Sequence, residues 1–299
     1  MTELSADLAI ETVGETSAIL GEGPYWVAGS STLLWVDIPG GQLHRTDPVT
    51  GHTQSADIGA PLSAAMPVSG EGGVLVARKS ELILLDDSGG QRVVASTADP
   101  DDIRFNDASV DARGRVLVGS MDTNETDPVG QLYRLELDGS LTALLTDVTV
   151  SNGLGWSPDQ SLLYYVDSPT RRIDVLRYDP EVGGIGDGRL FADLSDVSGL
   201  PDGLTVDAEG HVWVALHGGG SLRRYAPDGS LDAVITLPVT HPTSCAFGGD
   251  GLRDLFVTTA RRDLSSDQLA AQPMAGRLLR FTPGVAGQPA ASTPAVISG

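Results

Sequence analysis

The sequence contains a single cysteine, Cys245, and a single lysine, Lys79, and aromatic residues fill only 5% of its 299 positions. One thiol excludes an intramolecular disulfide and any zinc or iron–sulfur site built from several cysteines. Basic residues are few: 19 Lys and Arg stand against 40 Asp and Glu, for a formal net charge of −21. Nucleic acids and anionic membranes are held by clustered cations, so this balance excludes both as partners. Long apolar runs are missing, and with them a helix able to cross a bilayer. Residues 1–15 have neither a basic start nor an extended apolar core, so no signal peptide is expected and the location is expected to be cytoplasmic. No G-x-S-x-G elbow, Walker motif or H-E-x-x-H pair is present, which leaves serine-hydrolase, nucleotidase and zinc-protease readings without support. Helical periodicity is confined to a short stretch, Ser265–Ala271.

Turn chemistry is abundant instead, with 37 Gly and 18 Pro spread along the whole chain. Short apolar runs occur at Leu33–Val36, Val74–Ala77, Val116–Gly119, Leu162–Val166, Val212–Leu216 and Asp254–Thr258. Each follows a turn cluster, such as Gly70-Glu71-Gly72 or Asp207-Ala208-Glu209-Gly210, and so reads as the second strand of a tight hairpin. A further hairpin follows most of them, as at Gly130–Leu135 and Arg172–Tyr178. Aligned on the apolar residue before each first turn (Trp26, Val68, Val110, Trp156, Val206 and Phe247), the units recur every 41–50 residues. Four antiparallel strands at that period are the signature of a propeller blade. The expected fold is all-β, a six-bladed β-propeller of four-stranded antiparallel blades occupying residues 1–299 as one domain; a pair of β-sandwiches is the rival.

In a propeller the first strand of each blade lines the central channel, so one offset in every unit marks one ring around a mouth. Four residues before each anchor stand Glu22, Ala64, Asn106, Asn152, Asp202 and Thr243. Each polar member alone is an ordinary turn residue. Two acids and two amides at a shared offset, however, put oxygen donors around an axis, as a hard or borderline divalent cation requires. Arg104 lies two residues before Asn106, on the same face by strand alternation, and suits an anionic or strongly polar ligand. His241, two residues before Thr243, is a candidate for the pocket wall. His217, before Gly218-Gly219-Gly220, reads as a surface turn. Asp111–Gly114 and Asp207–Gly210 contain fragments of calcium loops but fit hairpin turns better. Cys245, Trp26 and Trp156 read as core.

These stretches resemble the gluconolactonase/regucalcin family, also called the senescence-marker-protein family. The matching segments are Leu20-Gly21-Glu22-Gly23-Pro24-Tyr25-Trp26, Arg104-Phe105-Asn106-Asp107, Gly119-Ser120-Met121, Ser151-Asn152-Gly153-Leu154 and Leu200-Pro201-Asp202-Gly203-Leu204, in family order. The resemblance implies a six-bladed propeller, in agreement with the repeat count. It implies one divalent cation held by Glu22, Asn152 and Asp202, substrate contacts from Arg104 and Asn106, and Asp202 as general base. An acidic sugar contact of part of the family falls here at Asn124, flanked by Asp122 and Glu125, a departure that leaves the substrate open. Calcium, zinc, magnesium, manganese and ferrous iron are all compatible with the family. The expected activity is metal-dependent hydrolysis of a sugar (aldono-)lactone to the open-chain aldonate, with a small-molecule sugar lactone as partner and the oligomeric state undetermined. The alternatives are an ester or phosphotriester hydrolase on the same site and a non-catalytic cation-binding propeller.

Overall fold

Each hairpin expected from the turn residues is formed in the computed structural model, which describes residues 8–70, 73–99 and 102–294; the 70–72 turn therefore lies partly outside the described residues. The strands make six four-stranded antiparallel sheets in sequence order around an axis, a six-bladed propeller. The innermost strands are Gly21–Val27, Leu62–Pro67, Ile103–Val110, Ser151–Trp156, Leu200–Val206 and Pro242–Gly248, here taken to head blades 1 to 6. Second strands are buried throughout, as in Val116–Asp122, because neighbouring blades cover both faces. Outer strands such as Leu141–Val148 meet solvent along most of their length.

The core is divided into six apolar clusters, one between each pair of adjacent blades. Trp26 stacks on Phe256 between blades 6 and 1, and Trp156 meets Tyr178 edge-on between blades 3 and 4. Full burial of each such side chain contributes roughly 1.5–3 kcal/mol. Cys245 is buried between blades 5 and 6, where the apolar surroundings push its thiol well above the ordinary range.

Blade 6 takes its outermost strand, Glu11–Ser17, from the start of the chain. Its polar sequence, with Gly14, carries no alternation that would have marked it as a strand. Ion pairs from Glu11 to Arg280 and from Glu15 to Arg277 help fasten it. At the other end of the chain, residues 286–294 run across the channel's lower end. They bond to blade 5 (Ala208 N–H to Ala286 O, 2.9 Å), blade 6 (Gly287 N–H to Leu252 O, 2.8 Å), blade 4 (Gln288 Nε2 to Trp156 O, 2.9 Å), blade 1 (Tyr25 Oη to Ala291 O, 2.6 Å) and blade 2 (Ser69 N–H to Thr293 O, 2.8 Å). They also lie against blade 3, where a Cβ at Gly114 would come within 2.8 Å of Pro294.

Every inner strand carries a register shift near its channel end, at Glu22/Tyr25, Leu62/Ala64, Phe105/Ala108, Asn152/Leu154, Pro201/Leu204 and Pro242/Ser244. Such bulges re-aim side chains, here six times around one axis. They also correct the alignment of blade 2. Val68 N–H bonds to Gly73 O, as Asp111 N–H does to Arg115 O and Asp207 N–H to His211 O. Val68 thus matches the residue after the anchor, the anchor is Pro67, and the ring member is Ser63 in place of Ala64.

Candidate metal and substrate site

The corrected ring is Glu22, Ser63, Asn106, Asn152, Asp202 and Thr243. Half of it stitches the blades together. Ser63 Oγ donates to Phe105 O (2.7 Å), Asn106 Nδ2 to Ser151 O (2.8 Å) and Thr243 Oγ1 to Gly21 O (2.6 Å). In each case the acceptor is the residue before the ring member of the next blade. Among the described residues, Glu22, Asn152 and Asp202 make no such bond themselves. Ionised carboxylates have no proton to give, and Asn152 Nδ2 bonds instead to Ser168 Oγ at 3.1 Å. The three oxygen-bearing groups left unspent are the three that the family resemblance assigns to a cation.

Glu22, Asn152 and Asp202 line one cavity with Arg104, Asn106, Glu125, Ser168, His217 and Arg262, a space of about 430 Å³. Its rim also carries the apolar Leu20, Ile38, Val150 and Leu200. Beneath the ring lies a smaller chamber of about 150 Å³, walled by the inner strands, by Asp107 and by the crossing segment 288–291. Burial raises the Glu22 carboxyl well above the ordinary range, and the charges of Asp202 and Asp107 push it further. Asp202 is raised for the same reasons, burial first and then Asp107, with the Asn152 amide and the Gly203 N–H opposing. Burial moves Asp107 up to about 6. Among the described residues none of these three carboxylates has an ion-pair partner. Three crowded acids, Asp202 buried and Glu22 and Asp107 half-buried, beside an amide are costly without a counter-charge and fit a divalent cation, whose charge two carboxylates cancel.

Arg104 is held at one corner of its guanidinium. Its Nη1 reaches Phe105 O and Asn106 Oδ1, both at 2.9 Å, leaving the rest of the fork toward the cavity. Burial lowers its pKa to about 10, so it stays charged at neutral pH. The neighbouring loop holds the place where the sequence departs from the family pattern. Asp122 accepts the N–H groups of Asn124, Thr126 and Asp127, donors that hold its pKa at about 2. This wraps the loop so that Asn124 is exposed and bonded back to Asp122, while Glu125, at φ 60°, lines the cavity. Of the two neighbours, the Asp122 turn brings Glu125 and not Asn124 into the cavity lining. His217 faces the cavity and is not a bland surface turn. His241 stands behind it, ring centroids 4.4 Å apart, and burial together with His241 lowers the His217 pKa to about 4.

A second acidic group, Asp207, Glu209 and His211, brings its ligand atoms within 4.8 Å of one another. A cation is already there: Arg224 donates to Asp207 Oδ2 at 2.7 and 2.9 Å and to Glu209 at 2.7 Å, and Trp213 Nε1 donates to the same Asp207 oxygen. Asp207 also accepts the N–H groups two and four residues on, as Asp111 does at the matching turn of blade 3, where Arg115 supplies the guanidinium. The group is the staple of a blade turn.

Six four-stranded blades around a channel with oxygen-bearing side chains at one mouth define a propeller with an axial polar pocket. The chain matches the family described as "SMP-30/Gluconolactonase/LRE-like region" over residues 20–261, and it belongs to that family. It is 38% identical to regucalcin of Oryctolagus cuniculus over 296 residues, covering 95% of this chain and 98% of that one. It is 34% identical to the pentonolactonase XacC of Haloferax volcanii, covering 94% and 97%. The solved structure of a calcium-binding protein, regucalcin, from Agrobacterium tumefaciens superposes with a TM-score of 0.90 at 29% identity, covering 97% and 98%.

Proposed function

We propose that this protein is a divalent-cation-dependent lactonase that opens a sugar lactone to its aldonate. The observation that carries the reading is the division of the ring: three members stitch blades, and Glu22, Asn152 and Asp202 are left to face a cavity that also receives Arg104, Asn106 and Glu125. The lactonase named among the relatives and the calcium-binding relative support the same reading. A cation held by Glu22, Asn152 and Asp202 would supply Lewis-acid polarisation of the lactone carbonyl. Asp202, beside the cation and within the same cavity, takes the proton of the attacking water. The free donors of Arg104 and the Asn106 side chain hold the sugar oxygens and fix the carbonyl's approach. Glu125 accepts from a sugar hydroxyl. The water oxygen bonds to the acyl carbon, the acyl C–O bond of the ring breaks, the proton taken by Asp202 passes to the departing ring oxygen to leave a hydroxyl, and the new acid releases its remaining proton to solvent as a carboxylate of one negative charge.

The apolar rim of Leu20, Ile38, Val150 and Leu200 favours a second reading, hydrolysis of a less polar ester or phosphotriester at the same place. A pH-indicator assay on EDTA-stripped protein separates the two. Five- and six-carbon aldonolactones and aryl esters are compared, with calcium, magnesium, manganese, zinc or ferrous iron restored in turn. Metal-restored turnover of an aldonolactone is the expected result. Faster turnover of aryl esters would transfer the assignment to the second reading, and silence on every substrate despite metal binding would remove catalysis altogether.

A further inference from the structure

The blade 4 to blade 5 junction differs from its neighbours in how it is stitched. Where Ser63, Asn106 and Thr243 reach the next blade themselves, Asn152 does so through an intermediary. Its Nδ2 meets Ser168 Oγ at 3.1 Å, and Ser168 Oγ donates to Pro201 O at 2.7 Å. Pro201 is the residue before Asp202. Ser168 is buried, stands at the first position of the 3-10 turn Ser168–Thr170, and is pinned to its own blade by its N–H on Val150 O at 3.1 Å. The preceding residue, Asp167, clamps the same stretch, accepting Val150 N–H at 2.8 Å and Thr149 N–H at 3.1 Å.

From this arrangement we infer that Ser168 is a positioning residue of the cation site. One hydroxyl orients two ligands. As acceptor it holds the Asn152 amide nitrogen, and the amide oxygen takes no hydrogen bond among the described residues. As donor it fixes the peptide that leads into Asp202. The task that Asn106 performs with its own amide is handed to Ser168, and Asn152 is thereby released to bind. Outer hydrogen bonds of this kind fix ligand orientation, and their loss typically weakens metal binding by about 10–100-fold. The inference rests on the cation reading proposed above.

The test uses the full chain, stripped with EDTA, and reads metal affinity without substrate. Calcium, then manganese, is titrated calorimetrically into the wild type and into Ser168→Ala, Ser168→Thr and Ser63→Ala. Ser63→Ala removes a comparable blade stitch that does not touch Asn152 or the approach to Asp202. The expected result is a metal Kd about 10–100-fold weaker in Ser168→Ala, restored by Ser168→Thr, and unchanged in Ser63→Ala, with circular dichroism showing all chains folded. If Ser168→Thr does not fold, the contrast between the two alanine variants decides alone. A wild-type Kd in Ser168→Ala, or an equal weakening in Ser63→Ala, overturns the inference and leaves the cation reading intact. A wild-type chain that binds neither metal overturns both.

Discussion

Replacing Asp107 by Asn tests whether the ring is strained without its cation. Burial moves this carboxyl from 3.8 to about 6, roughly two units, and each unit corresponds to 1.36 kcal/mol. The sign follows from which state holds the proton. Below pH 3.8 the folded and unfolded chains are both protonated at Asp107, and the group is neutral to stability. Between 3.8 and 6 the unfolded chain releases the proton and the folded chain keeps it, so the folded state loses ground as pH rises. Above that window the deficit is constant at about 3 kcal/mol. Asn is isosteric, retains an oxygen for the Ala108 N–H at 2.8 Å, and is uncharged at every pH. It also removes the charge that raises Glu22 and Asp202. Urea denaturation of the stripped chains should therefore show Asp107→Asn more stable at pH 7.5 by about 3 kcal/mol, or about 5 °C in Tm for a chain of this size. The gain should vanish near pH 3.5. Equal stability at pH 7.5, or a gain that persists unchanged in acid, would refute the reasoning.

Other outcomes follow from the same geometry. Asp202→Ala should lower lactone turnover by at least about 10²–10⁴-fold, the usual contribution of a positioned base; near-wild-type turnover would take that role away from it. Arg104→Ala should raise KM roughly ten- to a hundredfold with a smaller change in kcat, from the loss of charged hydrogen bonds to substrate; a collapse of kcat at constant KM would contradict a holding role. Asp207→Asn should leave the calcium stoichiometry of the stripped chain unchanged while destabilising it by about 1–3 kcal/mol, because Arg224 loses a charged partner but keeps Glu209 and Asp232; loss of a metal equivalent would reinstate the blade 5 turn as a cation site.

The propeller was legible because its repeat is written in turns, and turns depend on local residue chemistry. The five ring members Glu22, Asn106, Asn152, Asp202 and Thr243 fell at one offset for the same reason. Blade 2 slipped by one residue because its run, Ala64-Ala65-Met66-Pro67-Val68, is apolar throughout, and only the Val68 to Gly73 hydrogen bond shows where the strand ends. That Glu125 and not Asn124 would line the cavity was not legible, since the loop is shaped by the N–H groups that close on Asp122. The strand Glu11–Ser17 and the segment 286–294 have no periodicity of their own; both take their form from surfaces that exist only once the ring has closed.

The crossing segment governs traffic through the molecule. With residues 286–294 bonded across the lower end, the pocket is a cul-de-sac, and under the lactonase reading proposed above the aldonate would depart by the doorway through which the lactone came. It would do so as an anion past the charged guanidinium of Arg104. Product should therefore compete with substrate for the doorway, and its escape rather than bond cleavage should set the pace at high substrate concentration. Outside the doorway the balance reverses. The chain's net charge of −21 repels a departing carboxylate and is indifferent to an arriving neutral lactone, so the long-range field favours one direction of exchange.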